Sequence, residues 1–74
     1  MTMNRKTTIR EIGRRTRLKN RDVQVMLETL IEVWTEELIR GGRVEIENFA
    51  VLEMTERRRI RVKVSRVVRR KLKP

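Results

Sequence analysis

Residues 20–47 read NRDVQVMLETLIEVWTEELIRGGRVEIE, and within this stretch the spacing of apolar residues changes from helical to alternating. Before the glycines, Val23, Met26, Leu27, Leu30, Trp34 and Leu38 recur every three or four positions, which is the repeat of one helix face. Val25, Ile31, Val33 and Ile39 widen that stripe past the arc a single neighbour covers. Asn20 is a good N-cap, and Asp22 suits the positive end of the helix dipole. These residues predict a helix from Arg21 to about Arg40, on the order of 30 Å long. Gly41-Gly42 ends it, the first glycine in the left-handed conformation. Val44 and Ile46 then alternate with Glu45 and Glu47, the period of a strand. A helix with two apolar sides needs cover on two sides. One short helix and a small sheet do not supply it, so a second copy of the chain is expected there. Val23, Leu27, Leu30, Ile31, Trp34 and Leu38 are accordingly read as core or dimer contacts.

Upstream, Thr8 and Glu11 have capping-box spacing, with Asn4 as an earlier candidate cap. Ile9 and Ile12 share a face, so a first helix is expected from Lys6 to Thr16, followed by a short turn at Arg17-Leu18-Lys19. Gly13 in mid-helix costs about 1 kcal/mol against Ala and therefore marks a close helix contact. Downstream, Asn48 begins a turn and Phe49 is expected to plug the core. Leu52, Met54, Ile60, Val62 and Val64 share one parity, which predicts two strands with these five on one buried face. A two-residue loop at Arg57-Arg58 would set Met54 against Arg61 and mix the faces. A three- or five-residue loop sets Met54 opposite Ile60 and Leu52 opposite Val62. On the other face Glu53 then meets Arg61, and Val51 meets Lys63. Such a loop usually contains a Gly and this one has none, so strain or disorder is expected in it. The result is an α+β chain: a helical hairpin followed by a three-stranded antiparallel sheet. The tail from Arg66 to Pro74 is left open between a last helical turn and a disordered arm.

The charge is large and unevenly placed. Twenty Lys and Arg against ten Asp and Glu give a net +10 in 74 residues. Residues 1–22 carry eight basic and two acidic side chains, residues 23–56 two and eight, and residues 57–74 ten and none. Two basic blocks flanking an acidic middle call for a polyanionic partner. There is no Cys and no His, which removes disulfides, zinc fingers, haem ligation and His- or Cys-based catalysis. With one Asp, one Ser, no Tyr and no Gly-rich phosphate loop, an enzyme is not expected, nor is a cofactor, a metal or a small-molecule substrate. The longest apolar run is Phe49 to Leu52, too short for a transmembrane helix or a secretory core, so no membrane partner is expected. A chain this short has a small core, and partnering is the remaining route to stability.

At Lys6-Thr7-Thr8-Ile9-Arg10-Glu11-Ile12, at Thr16-Arg17-Leu18-Lys19-Asn20-Arg21-Asp22-Val23, and at Val44-Glu45-Ile46-Glu47-Asn48-Phe49-Ala50, the chain resembles the bacterial histone-like family of HU and integration host factor. The family usually carries Thr-Gly-Leu where Thr16-Arg17-Leu18 stands, and Gly-Phe-Gly where Asn48-Phe49-Ala50 stands. Leu72-Lys73-Pro74 is similar to its Phe-Lys-Pro ending. The resemblance implies an intertwined dimer, with a helical body over about 6–42, a β-saddle over about 43–64 and a basic tail over 65–74, all one domain. It also implies β-ribbon arms that enter the DNA minor groove, with a proline wedged between base pairs. Here that arm is absent: Met54 leads through Thr55-Glu56-Arg57-Arg58-Arg59 to Ile60, and the chain's only proline is Pro74. The family's closing helix is also expected to be missing.

Matched position by position, the resemblance implies a DNA-facing set. Lys6 lies where the family has a basic residue near the first helix. Arg57, Arg58 and Arg59 form the stump of the arm. Arg61 and Lys63 project from the strand face opposite Ile60, Val62 and Val64, and Arg66, Arg69, Arg70, Lys71 and Lys73 follow in the tail. The expected function is an architectural, nucleoid-associated DNA-binding protein of the cytoplasm, largely indifferent to sequence and bending DNA less than full-armed relatives. It would bind the duplex backbone and, where the stump reaches, the minor groove. Three alternatives stay open: a subunit that heterodimerises with a full-length HU- or integration-host-factor-like chain, a helix-turn-helix regulator reading bases with Asn20, Arg21 and Gln24, and a small basic RNA-binding protein.

Overall fold

Residues 2–73 are described by the computed structural model, in the order α1 (Arg5–Thr16), α2 (Asn20–Ile39), β1 (Arg43–Ile46), β2 (Ala50–Met54), β3 (Ile60–Val64) and α3 (Arg66–Leu72). The chain divides into two compact units, one through Glu32 and the other from Val33 onward.

In the first unit α1 is capped by Asn4, not Thr8. Asn4 Oδ1 accepts the Thr7 N–H at 2.9 Å, and Thr7 Oγ1 accepts the Asn4 N–H at 2.9 Å. This reciprocal cap starts the helix one residue earlier and satisfies backbone donors that a cap at Thr8 would leave to water. Glu11, the expected partner of Thr8, is taken instead by Arg14 and Arg15. Arg17 closes α1 at φ 63, donating its N–H to the Gly13 carbonyl at 2.8 Å. Gly13 is buried, and a Cβ there would collide with Asn20 Oδ1 and lie 3.4 Å from the Leu18 carbonyl, so the close approach expected at this glycine is present. Asn20 is the first residue of α2 rather than its cap, one position earlier than expected. Ile9 and Val23 form the buried core of this unit. Beside them Ile12, Val23, Met26, Leu27 and Leu30 line an open apolar hollow of about 310 Å³.

In the second unit α2 ends at Ile39 and Gly41 adopts φ +83, as its sequence position predicts. The three strands lie in the order β1-β2-β3, each antiparallel to the next. Met54 faces Ile60, Leu52 faces Val62, Glu53 faces Arg61 and Val51 faces Lys63, which is the expected register. Val44 and Ala50 are buried. The expected burial of the whole apolar face does not hold within one chain. Leu52 and Met54 are half-buried, while Ile60, Val62 and Val64 stand 47%, 55% and 41% exposed. Phe49 is 57% exposed and does not plug the core of its own chain. The reason is geometric: it sits in the Glu47–Phe49 turn between β1 and β2, beyond the strand face that carries Val44 and Ala50.

The closing helix is present, against expectation. Ser65 caps α3 by accepting the Val67 N–H on Oγ at 3.0 Å, and its own N–H donates to the Phe49 carbonyl at 2.8 Å. A capped run rich in Arg and Lys, free of Gly, has enough intrinsic propensity for two turns once its first residue is anchored. Pro74 lies outside the described residues.

Candidate nucleic-acid interface

The basic residues from Arg57 onward fall into three groups on the second unit. The first is the β2–β3 loop. Thr55 N–H donates to the Arg59 carbonyl at 2.8 Å, Arg58 N–H donates to the Thr55 carbonyl at 2.9 Å, and Arg59 N–H reaches Thr55 Oγ1 at 3.2 Å. Five residues therefore separate the strands, and within them a three-residue turn, Glu56-Arg57-Arg58, is closed by the Thr55–Arg59 bond. Both expected loop lengths describe it. Its last position, where Gly is usual, is occupied by Arg58 at φ 57. Arg57, Arg58 and Arg59 are exposed, and no carboxylate lies within ion-pair distance of them among the described residues.

The second group is the polar face of the sheet, carrying Arg43, Glu45, Val51, Glu53, Arg61 and Lys63 by register. Here the cations are largely neutralised. Arg61 pairs with Glu53 at 2.7 Å and Arg43 with Glu45 at 3.0 Å. The Arg61 hydrogen bond holds the Glu53 carboxyl below the usual carboxylate range, with Lys63 and Arg43 adding to the pull. Arg61, read from sequence both as facing Glu53 and as a DNA contact, is thus committed to that carboxylate across the strands. Lys63 keeps an unpaired charge among the described residues.

The third group is α3 and its C-cap: Arg66, Arg69 and Arg70 follow helical spacing, Lys71 stands beside them, and Lys73 caps the helix in extended backbone; all are exposed. α3 starts at the end of β3 opposite the loop, so the length of that strand, about 15 Å, separates the two unpaired clusters. Ser65 positions the third group and was not singled out in the sequence; as the chain's single Ser, standing just before an Arg/Lys run, it carried the signal of an N-cap.

Lys6 belongs to the first unit, exposed and unpaired among the described residues. Its neighbour Arg5 pairs with Glu28 at 3.0 Å. Glu11 takes Arg14 at 2.6 Å and Arg15 at 3.1 Å, and these two guanidinium groups hold its carboxyl down to about 2. Val23 is buried, Leu27, Trp34 and Leu38 are half-buried, and Leu30 and Ile31 are exposed, so much of the expected dimer set is bare in one chain. No cluster of acidic residues able to hold a metal occurs among the described residues, and no helix is long and apolar enough to cross a membrane.

A family model described as "Bacterial DNA-binding protein" matches residues 3–69. The fold is similar to HU from Thermotoga maritima, with a TM-score of 0.86, 30% identity, and 96% of this chain and 100% of that one covered. A point mutant of the same HU gives a TM-score of 0.91 at the same identity and coverage. No curated protein matches the sequence.

Proposed function

This chain belongs to the bacterial DNA-binding protein family, with HU among its relatives of known structure, and on that premise we propose that it works as a dimer gripping duplex DNA through its unpaired cations. HU-like architectural DNA binding is the function of the family.

One observation carries it. Of the ten cations from Arg57 to Lys73, Arg61 alone has a carboxylate in ion-pair reach among the described residues. Charges left bare in this way are the groups that displace condensed counterions from a phosphate backbone. The loop stump Arg57–Arg59, Lys63, the α3 residues Arg66, Arg69, Arg70 and Lys71 and the cap residue Lys73 are the contacts, with Lys6 on the helical unit and Arg61 in support. The partner is a second copy of the chain. Met26, Leu30 and Ile31 on α2, and Ile60, Val62 and Val64 on β3, are exposed apolar residues that pairing would cover. Bending is weaker than an intercalating arm produces, because the β2–β3 loop has no apolar residue or proline to wedge between bases. The site of action is the nucleoid in the cytoplasm, and the role is binding, not catalysis.

Light-scattering mass and duplex affinity across a salt series test this together. A dimer is expected. If six to ten phosphates are contacted, raising salt from about 50 to 200 mM weakens binding by roughly 10³–10⁵. A stable single-chain species, or an affinity indifferent to salt, overturns the proposal. A dimer forming only with a longer HU-like chain would replace the homodimer by a mixed one.

A further inference from the structure

Glu53 is a carboxylate in the middle of a surface that a polyanion approaches. It lies on the central strand β2, on the polar face of the sheet, with Arg43 as its register partner on β1 and Arg61 as its partner on β3. The Arg61 guanidinium turns its Nε and Nη2 edge onto one oxygen of this carboxylate, at 2.9 and 2.7 Å. That edge is the planar fork with which arginine grips a phosphate. The two partners differ in cover. The Glu53 side chain is 21% exposed and the Arg61 side chain 60%, so the carboxylate is mostly covered while the guanidinium stays open to a second anion. Lys63 stands diagonally across from Glu53 and, with Arg43, adds to the attraction that keeps it charged. The other ion pair on this face, Arg43 with Glu45, joins two exposed side chains of one strand and has no such cover.

Resting on the DNA-binding reading, we propose that Glu53 is the residue that sets how strongly the sheet face holds DNA: it occupies the Arg61 fork as an internal stand-in for a backbone phosphate, and binding exchanges one anion for the other. The ion balance of that exchange gives it a signature. An unpaired cation that meets a phosphate releases the counterion condensed there. Arg61 meets its phosphate only by leaving Glu53, and the bared carboxylate then draws a cation back from solution. The contact therefore releases almost no counterion in sum. The sheet face orients the duplex with little salt-dependent affinity, and the strength of the grip falls to the bare cations of the loop and α3. Glu53 acts through Arg61 and makes no contact with DNA itself, so its role is that of a positioning residue.

The test is Glu53→Gln, which keeps the shape of the side chain and removes its charge. Affinity for one mixed-sequence duplex is measured across a salt series for the full chain, for Glu53→Gln, Glu45→Gln and Arg61→Gln, and for the Glu53→Gln, Arg61→Gln double variant. Glu53→Gln is expected to tighten binding roughly threefold to tenfold at about 50 mM salt. It should also steepen the salt slope by about 0.9 per subunit, because each freed Arg61 now releases a counterion. A damaged fold does not produce tighter binding, and thermal melting checks every variant. In the Arg61→Gln background most of the gain and of the added slope should vanish. Glu45→Gln should change both less than Glu53→Gln does. Unchanged or weaker binding by Glu53→Gln, an unaltered slope, the same gain without Arg61, or an equal gain from Glu45→Gln overturns this inference alone. Failure of the unaltered protein to bind the duplex at low salt brings down the DNA-binding reading and this inference with it.

Discussion

The two ends of this chain are both rich in Arg and Lys and differ in what their charges are doing. In residues 1–22, three of eight cations are held by carboxylates, Arg14 and Arg15 sharing Glu11 and Arg5 reaching Glu28. From Arg57 onward one of ten is held, Arg61 by Glu53. Each end also carries an arginine at positive φ, Arg17 at 63° and Arg58 at 57°. Arg17 completes the cap of α1 over a buried glycine, a structural task. Arg58 ends a turn at the tip of a hairpin. A charge count already favours the second end, with ten basic and no acidic residues against eight and two; pairing widens the gap, because a cation already hydrogen-bonded to a carboxylate brings little net charge to a phosphate.

The largest effect should come from removing what both ends depend on. Trp34→Ala is expected to cost about 3–5 kcal/mol of dimer stability by denaturant unfolding, the range for truncating a large buried ring. Trp34 is only half-buried in one chain, so a much smaller loss would mean that no partner covers it. The comparison itself is broken or kept by two charge reversals. Arg58→Glu with Arg59→Glu should weaken binding to every duplex by about tenfold or more and lower the salt slope by roughly two. Arg14→Glu with Arg15→Glu should change affinity far less; equal losses in a titration would erase the distinction between the ends. A finer test uses the strained arginines. Arg17→Gly and Arg58→Gly should each stabilise the protein by about 1 kcal/mol in thermal melts, since glycine is free of the left-handed penalty. DNA affinity should fall only for the second. The smallest effect is acid sensitivity. Glu11 is held down to about 2 and Glu53 is also lowered. Both bind protons less readily when folded, so their contribution is complete above the ordinary carboxylate range and is lost as pH falls toward 2. Glu11→Gln should flatten part of that acid limb in melts from pH 7 to 2.

Much of the fold was legible because period and register are local properties. The switch from helical to alternating spacing at Gly41-Gly42 marked the end of α2. The shared parity of Leu52, Met54, Ile60, Val62 and Val64 required an odd loop, and the strands pair accordingly. What escaped was decided by competition or by cover. Asn4 caps α1 in place of Thr8, in a reciprocal pair with Thr7, and Glu11 is held by Arg14 and Arg15. Helix α3 was left undecided because its seven residues are too few for a clear periodic signal, and its start depends on Ser65 bonding the Phe49 carbonyl sixteen residues back. Phe49 stands exposed in one chain, because aromatic character predicts burial on average and says nothing about whether one chain or a pair supplies it. At the interface, Arg57–Arg59 and the α3 cations could be read from a run of like charge. The pairing of Arg61 with Glu53 was legible too, since the odd loop sets the two opposite each other.

By itself the amino-acid order determined the succession of elements, the strand register, the left-handed Gly41 and the presence of a large cationic excess, since each follows from neighbours within a few residues. Only the tertiary structure decided which cations stay free, that the tail closes as a helix on Ser65, and that Arg58 must carry its charge in a strained turn. Those outcomes depend on groups brought together from distant positions, where a carboxylate, a carbonyl or a closing hydrogen bond either arrives within reach or does not.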